Sequence, residues 1–289
     1  MQEFFEKFPN DEACRQYVAQ VRWGAGFLCP ACGNTEAWKK SRGTYRCAQC
    51  RHDTSITAGT VFGDSRIPLR LWFQAIWLVV SQKSGASALG VSRSLGIRRQ
   101  MTGWYLMKRI RTAMVRVGRE RLSGLVEVDE VFLGGVKPGK RGRGAAGKVL
   151  ILVAVEDMGK KGIGRIRITV IPDATAVSLR KAIESMIESG GTIRTDELAS
   201  YPSITKHGYK HIAVKGNASV PGEDPTPLVH RVASLLKRWL LGTHQGGVRQ
   251  SHIASYLDEF VFRFNRRTSR SRGKLFYRLV QNMVQPRKR

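Results

Sequence analysis

The spacing of apolar positions divides the chain into a helical first part and a second part in which strands and helices alternate. Apolar residues recur at helical spacing in residues 1–25, and the run LRLWFQAIWLVV follows Pro68 and predicts a helix. The segment SGASALGVSRSLGIRRQMTGWYLMKRIRTAM predicts two helices separated by the short turn SLGI, as in a helix-turn-helix. An ordinary helical pair with a solvated basic face is the alternative.

From Leu125 onwards, short apolar runs predict a sheet. Three strands are expected in GLVEVDEVFLGG, VLILVAVED and GRIRITVIPDA, and they are followed by the helix TAVSLRKAIESMIESG, which Thr175 can cap. Two further strands, TIRTDE and HIAVKG, precede the helices TPLVHRVASLLKRWLLG and RQSHIASYLDEFVFRFNRR. Three antiparallel strands, a helix, two more strands and a helix follow the order of a ribonuclease-H-like α/β fold.

Four of the five cysteines form two CxxC pairs near the N-terminus, in the spacing C-x2-C-x14-C-x2-C. Two such turns let four thiolates converge on one zinc ion, and four protein ligands leave no open position for catalysis. The predicted zinc ligands are Cys29, Cys32, Cys47 and Cys50. Gly43 suits the bend of a β-hairpin between the two pairs. His52 is either a spare ligand or a surface histidine. We therefore expect a small β zinc ribbon with a structural ion.

These patterns predict three domains. Residues 1–60 would form an N-terminal helix and the zinc ribbon, and residues 61–120 a helix-turn-helix region that binds DNA. Residues 121–289 would form the ribonuclease-H-like core with a basic C-terminal tail. The N-terminus lacks the pattern of a signal peptide, and the longest apolar run is too short to cross a bilayer. We expect a soluble cytoplasmic protein, associated with the nucleoid and not with a membrane.

Charge changes this picture, because 49 Lys and Arg face 22 Asp and Glu, which leaves a net charge of +27. Such an excess favours nucleic acid as the partner, although charge also keeps proteins soluble. Basic residues cluster on the second helix of the helix-turn-helix, in the glycine-rich stretch of residues 137–148 and in the tail of residues 263–289. The candidate DNA-binding residues are Arg98, Arg99, Gln100, Lys108, Arg109, Lys140, Arg141, Arg143, Arg266 and Arg267.

Two carboxylates are candidates for chemistry. Asp129 interrupts an apolar strand, and Asp196 ends the fourth predicted strand. In a ribonuclease-H-like sheet these strands are neighbours, so the two like charges would repel each other until a divalent cation bound between them. Mg2+ or Mn2+ bound by such carboxylates can activate a hydroxyl in phosphoryl transfer. Buried ion pairs with nearby arginines are the alternative.

The third metal ligand should come from the helix TPLVHRVASLLKRWLLG, which contains no acidic residue. His230 is the candidate, although an imidazole suits Mn2+ better than Mg2+ and a histidine packed on the sheet is the alternative. Glu223 and Asp224, just upstream, could reach the site instead. Lys237 lies two turns after His230 on the same helix face and could bind a phosphate. Glu130 points to the opposite sheet face and is expected to be structural.

The chain resembles the zinc-ribbon DDE-type insertion-sequence transposases of bacteria. The resemblance extends over nearly the whole chain and rests on the four-cysteine ribbon and on VDEVFLGG, TDELASY, HRVASLLKRWLLGTHQGGV and YLDEFVFRFNRR. It implies a ribonuclease-H-like core that binds two metal ions and catalyses DNA strand transfer. By motif it assigns Asp129 and Asp196 as catalytic, places the third acidic position on His230 and the basic partner on Lys237. Members of the family vary at the third position.

The expected function is that of a DNA transposase. It would bind the terminal inverted repeats of a mobile element, hydrolyse a phosphodiester at the element end and join the freed 3′ hydroxyl to target DNA. Because two ends must be joined, we expect a homo-oligomer on double-stranded DNA. The alternatives are a DNA-binding regulator or inactivated transposase remnant, and a junction-cutting nuclease of the same fold.

Overall fold

The computed structural model describes residues 2–116, 118–134, 148–216, 220 and 222–285. The chain forms two compact units, and each has its own architecture. The first consists of Met1–Arg116 and Ser269–Arg289, and the second of Val117–Thr268. The fold is mixed, with helices and a small sheet in the first unit and an α/β arrangement in the second.

The N-terminal segment, predicted as one helical stretch, contains two helices, α1 (Gln2–Lys7) and α2 (Asp11–Arg22). The break has a local cause. Pro9 disfavours a continuous helix, and the Asn10 side chain accepts a hydrogen bond from the Ala13 N–H at 2.9 Å, which caps α2.

The cysteine-rich segment forms a three-stranded antiparallel sheet, in the order β1 (Ala37–Lys39), β2 (Thr44–Cys47) and β3 (Asp53–Ser55). The predicted hairpin bend is confirmed, because Gly43 has a φ of 75° between β1 and β2. This φ lies in the left-handed region, which glycine adopts most easily.

Three helices follow the ribbon, namely α3 (Leu69–Ser81), α4 (Ala88–Ser94) and α5 (Gln100–Thr112). The turn between α4 and α5 contains Gly96 with a φ of 64°, as a tight turn requires. The two helices approach closely, because a Cβ added to Gly103 of α5 would lie 2.0 Å from the Ser92 hydroxyl oxygen of α4. The α4–turn–α5 order agrees with the predicted helix pair.

A helix that the sequence pattern did not predict, α9 (Arg272–Val284), belongs to the first unit and not to the unit of the large sheet. The Phe276 ring of α9 packs against Phe4, Phe8 and Phe73, with ring centroids 5.4–5.6 Å apart. The expectation of a basic tail on the catalytic core is therefore corrected for this segment, because its apolar face completes an aromatic core.

The second unit contains a five-stranded sheet. Its strands are β4 (Leu125–Leu133), β5 (Val149–Asp157), β6 (Ile163–Val170), β7 (Thr192–Thr195) and β8 (Lys210–Ala213). They lie in the order β6-β5-β4-β7-β8, in which β4, β5 and β6 are antiparallel while β7 and β8 run parallel to β4. The prediction that the first and fourth strands of this sheet are neighbours is confirmed.

Helices cover both faces of this sheet. On one face, α7 (Pro227–His244) and α8 (Ile253–Phe264) bury apolar residues of β4, β5 and β6. On the other, α6 (Ala176–Met186) packs with the short turn Pro202–His207, and Thr175 caps α6 as predicted. Among the described residues, none of these helices or the others has the length and apolar character needed to cross a membrane.

Candidate functional site

The parallel pairing of β4 with β7 brings the two candidate aspartates together. Glu127 of β4 lies opposite Arg194 of β7 in the register, and Asp129 and Asp196 each follow two residues later. The negative charge of Asp196 is close enough to contribute to the raised pKa of Asp129. The predicted juxtaposition of the two carboxylates therefore has a direct geometric basis in the strand register.

Asp129 lies on the sheet face that α7 covers, and its side chain is only 13% exposed. Its Oδ2 atom accepts a hydrogen bond from the Thr226 hydroxyl at 2.9 Å and lies 3.2 Å from Nε2 of His230. Burial is the main cause that raises the pKa of Asp129, while the Thr226 hydrogen bond acts in the opposite direction. A buried carboxylate beside a second carboxylate favours a bound cation.

His230 lies between two carboxylates. It is the fourth residue of α7, so its imidazole projects from the first turn of the helix. On the side opposite Asp129, Nδ1 is 2.8 Å from each carboxylate oxygen of Asp224. Asp224 also accepts the Thr226 backbone N–H at 2.9 Å. Asp224, which the sequence offered as a possible direct ligand, is thus a partner of the histidine in this structure.

Glu127 connects the start of α7 to the strand that contains Asp129. Its side chain is fully buried, and its Oε2 accepts the backbone N–H groups of Leu228 and Val229 at 2.8 and 3.1 Å. A carboxylate at a helix N-terminus satisfies N–H groups that have no partner within the helix. Glu127 also forms an ion pair with Arg194, whose guanidinium lies 2.7 Å from Asp157. Strands β4, β5 and β7 are thereby linked to α7.

Glu130 is directed to the other face of the sheet, beside Tyr201. Burial raises the pKa of Glu130 to about 7, and the nearby Tyr201 hydroxyl acts in the opposite direction. Tyr201 is 1% exposed, and burial raises the pKa of its phenol well above the usual range. A buried neutral phenol is a poor nucleophile, which disfavours a covalent tyrosine intermediate.

Lys237 is exposed on α7, seven residues after His230. At a rise of 1.5 Å per residue, the two positions are about 10 Å apart along the same helix face. Lys237 and His230 thus share a helix face, and the contact of Lys237 with a phosphate stays a prediction.

The four cysteines of the ribbon converge. Their sulfur atoms all lie within 4.8 Å of one another, with Cys29 and Cys50 at 3.6 Å and Cys32 and Cys47 at 3.5 Å. Tetrahedral zinc with bonds of about 2.3 Å requires sulfur atoms about 3.8 Å apart. The cluster therefore suits a structural zinc ion. Cys14 is separate and fully buried, and burial raises the pKa of its thiol to about 12.

The basic residues of the predicted helix-turn-helix, formed by α4, the turn and α5, differ in accessibility. Arg98, Arg99, Gln100 and Lys108 are exposed on one side of the turn and of α5. Arg109 is a correction, because it is 8% exposed, donates a hydrogen bond to the Gly63 carbonyl at 2.7 Å and lies over the Trp72 ring. A guanidinium engaged in this way stabilises the first unit and is not available to DNA.

The two arginines of the FNRR motif have contacts within the second unit, and their role in DNA binding stays a prediction. Arg266 lies over the Phe262 ring at 4.1 Å, and Arg267 donates hydrogen bonds to the backbone carbonyls of Ile163 and Gly164. Beside them, Asn265 bonds the N–H and the C=O of Ile166 in edge strand β6, at 2.8 and 3.0 Å. The motif thus supplies hydrogen-bond partners to backbone groups at the edge of the sheet. The remaining candidates Lys140, Arg141 and Arg143 lie outside the described residues.

Sequence reasoning did not identify Thr226 and Glu127 as parts of the site. A signal was present for Glu127, because it precedes Asp129 by two residues and therefore shares its strand face. For Thr226 the signal was its place directly before Pro227, the first residue of α7. Neither signal specifies the partner, which is about a hundred residues away along the chain in both cases.

Two segments of the chain match known protein families. Residues 121–265 match the ISXO2-like transposase domain, and residues 9–53 match the transposase zinc-ribbon domain. The first match contains Asp129, Asp196 and His230, and the second contains all four cysteines of the ribbon.

Two individual proteins are also similar. A protein described as uncharacterized in transposable element ISH50 of Halobacterium salinarum is 25% identical, over 92% of this chain and 94% of its own length. The crystal structure of the catalytic core domain of BIV integrase matches 54% of this chain and 94% of its own, with 17% identity and a TM-score of 0.34.

Proposed function

Because the chain belongs to the ISXO2-like transposase family, we propose that it is the DDE-type DNA transposase of an insertion sequence. It binds the terminal inverted repeats of the element, hydrolyses a phosphodiester at each end and transfers the freed 3′ hydroxyl to target DNA. The sheet order β6-β5-β4-β7-β8, with three antiparallel strands followed by two parallel ones, supports assignment of the second unit to the ribonuclease-H-like fold.

The main support is the arrangement around Asp129. Asp129 and Asp196 each lie two residues beyond the paired residues Glu127 and Arg194, and Oδ2 of Asp129 is 3.2 Å from Nε2 of His230. We assign Asp129, Asp196 and His230 as the catalytic set, with Lys237 as the residue that binds a substrate phosphate. Glu130 is assigned a structural role on the opposite face.

The donor atoms suit a divalent cation. Carboxylates face both ring nitrogens of His230, Asp224 at 2.8 Å from Nδ1 and Asp129 at 3.2 Å from Nε2. In a neutral ring only one of these nitrogens has a proton, so the other presents a lone pair to a carboxylate. A lone pair and a carboxylate oxygen at this distance repel each other unless a proton or a cation lies between them. Asp129, Asp196 and His230 would bind Mg2+ or, with an imidazole present, more readily Mn2+. When bound, the metal would activate a water or hydroxyl for attack on phosphorus.

The protein groups around this set hold it in position. The Thr226 hydroxyl orients the Asp129 carboxylate through its hydrogen bond at 2.9 Å. Glu127 fixes the first turn of α7 to β4, so that the distance between Asp129 and His230 does not depend on a mobile loop. Such preorganisation favours phosphoryl transfer, because the reacting groups are held in position before the reaction begins.

DNA binding is assigned to the ribbon and to the exposed face of the helix-turn-helix. In that motif the second helix enters the major groove and contacts base edges with its N-terminal residues. Arg98, Arg99 and Gln100 occupy this position before and at the start of α5, and Lys108 follows two turns later. A homo-oligomer assembled on DNA in the cytoplasm would join the two ends of the element.

The decisive experiment is cleavage of a labelled duplex with the element's own ends, in Mg2+ and in Mn2+. Asp129→Asn and Asp196→Asn should each reduce cleavage to the level without protein while leaving duplex affinity unchanged. Glu197→Gln, which removes a charge from the exposed neighbour of Asp196, should cleave like wild type. Cleavage that survives either aspartate change would refute the assignment. Tight binding without cleavage by wild type in both metals would instead identify a DNA-binding protein that has lost catalysis.

A further inference from the structure

Asp224 contacts His230 without belonging to the proposed metal-binding set. Both of its oxygens lie 2.8 Å from Nδ1 of His230, and its Oδ1 also accepts the Thr226 N–H at 2.9 Å. These contacts lie on the side of the imidazole that faces away from Asp129. Asp224 is therefore placed to act on the histidine and not to bind a cation itself.

This contact matters because it opposes the tautomer that a neutral imidazole adopts in water. A neutral imidazole in water places its proton mainly on Nε2. In this site that tautomer would direct an N–H at Asp129 and would turn the lone pair on Nδ1 towards Asp224, where two carboxylate oxygens repel it. A carboxylate on Nδ1 reverses the preference and orients the ring.

We propose that Asp224 is a positioning residue that selects the Nδ1–H tautomer of His230, so that the Nε2 lone pair faces the carboxylate of Asp129. The inference rests on the proposed function for the meaning of that lone pair as a metal ligand. The tautomer itself is a property of the protein without metal. The side chain of Asp224 is 24% exposed and that of His230 38%, so substitution of Asp224 changes a contact at the rim of the site and leaves the apolar core unaltered.

Two substitutions separate the contact from the local fold. Asp224→Ser keeps a short oxygen that can accept the Thr226 N–H in the same kind of turn but cannot reach Nδ1. Asp224→Asn keeps a carbonyl oxygen for Nδ1–H and removes the charge. Glu223→Ser is the matched control, because it removes the same charge from an exposed neighbouring position.

The first measurement uses the full chain labelled with 15N at histidine, without metal, at a pH where the imidazoles are neutral. Two-bond proton–nitrogen correlations report the tautomer, and His230→Gln identifies the signal of His230 among the six histidines. Wild type, Asp224→Asn and Glu223→Ser should show the Nδ1–H form. Asp224→Ser should shift His230 to the Nε2–H form. An unchanged tautomer in Asp224→Ser would overturn the proposal.

The second measurement is Mn2+ affinity by calorimetry. Loss of a partner that orients a metal-binding histidine lowers affinity by roughly 10- to 100-fold. We expect such a loss for Asp224→Ser, a smaller one for Asp224→Asn and less than about twofold for Glu223→Ser. Equal losses in Asp224→Ser and Glu223→Ser would overturn the proposal in favour of a simple charge effect. The proposed function fails separately, through cleavage that survives Asp129→Asn.

Discussion

Glu127 joins the first turn of α7 to the strand that contains Asp129. Its buried carboxylate satisfies two N–H groups at the start of α7 and the guanidinium of Arg194. Glu127→Ala leaves these donors without that acceptor, and loss of one partner of a buried charged pair costs about 3–5 kcal/mol. We expect a decrease of at least about 3 kcal/mol in the free energy of unfolding, measured by urea denaturation.

Glu127→Gln is the matched control, because it retains an acceptor oxygen of similar position while removing the charge. Its loss should be clearly smaller than that of Glu127→Ala. A second readout is the distance between His230 and Asp129 in a structure of the variant, because a displaced first turn of α7 would increase it. An alanine variant with wild-type stability would show that α7 does not rely on this carboxylate.

At the scale of elements, the close approach of α4 and α5 depends on one glycine. A Cβ on Gly103 would lie 2.0 Å from the Ser92 hydroxyl oxygen and 2.7 Å from the backbone oxygen of Ala88. The first atom can rotate away, but the second belongs to the backbone of α4 and cannot. Gly103→Ala should therefore separate the helices and destabilise the first unit by about 1–3 kcal/mol, as overpacking does, with a lower melting temperature as the measurement.

Gly242→Ala provides the control for helix propensity. Gly242 also lies inside a helix, α7, but a Cβ there meets nothing within 4 Å. Alanine should stabilise that position by up to about 1 kcal/mol, because glycine is the poorer helix former. If Gly103→Ala were as stable as wild type, the helix pair would be looser than the structure indicates, and α5 would not be held at a fixed angle to α4.

The elements also differ in how far the sequence determined them. The strands from β4 to β8 and their neighbours were predictable, because buried strands have compact apolar runs and their order limits the topology. The break between α1 and α2 and the helix α9 were not predicted, because a single proline seldom fixes a helix boundary and the basic residues of α9 are interspersed with its apolar face. Within the site, the two aspartates followed from charge within apolar strands. The partners Thr226 and Glu127 did not, because their contacts arise only when distant segments pack together.

At the scale of the whole molecule, a net charge of +27 predicts DNA binding that depends strongly on salt. Each phosphate contact contributes about 0.9 to the slope of log K against log salt concentration. Among the described residues of the helix-turn-helix, Arg98 and Arg99 are exposed before α5, where a recognition helix meets DNA. The double variant Arg98→Gln, Arg99→Gln should lower the slope by about 2.

The measurement is fluorescence anisotropy of a labelled terminal-repeat duplex at several NaCl concentrations. Lys181→Gln is the control, since it removes a positive charge from the exposed side of α6, on the sheet face opposite α7. It changes the net charge by one but should leave the slope unaltered, because counterions are released by local contacts and not by total charge. A double variant that keeps the wild-type slope would exclude these arginines from the interface. A change in the lysine variant about half as large as that in the double arginine variant would mean that DNA responds to the overall charge of the protein, without a defined contact face on α5.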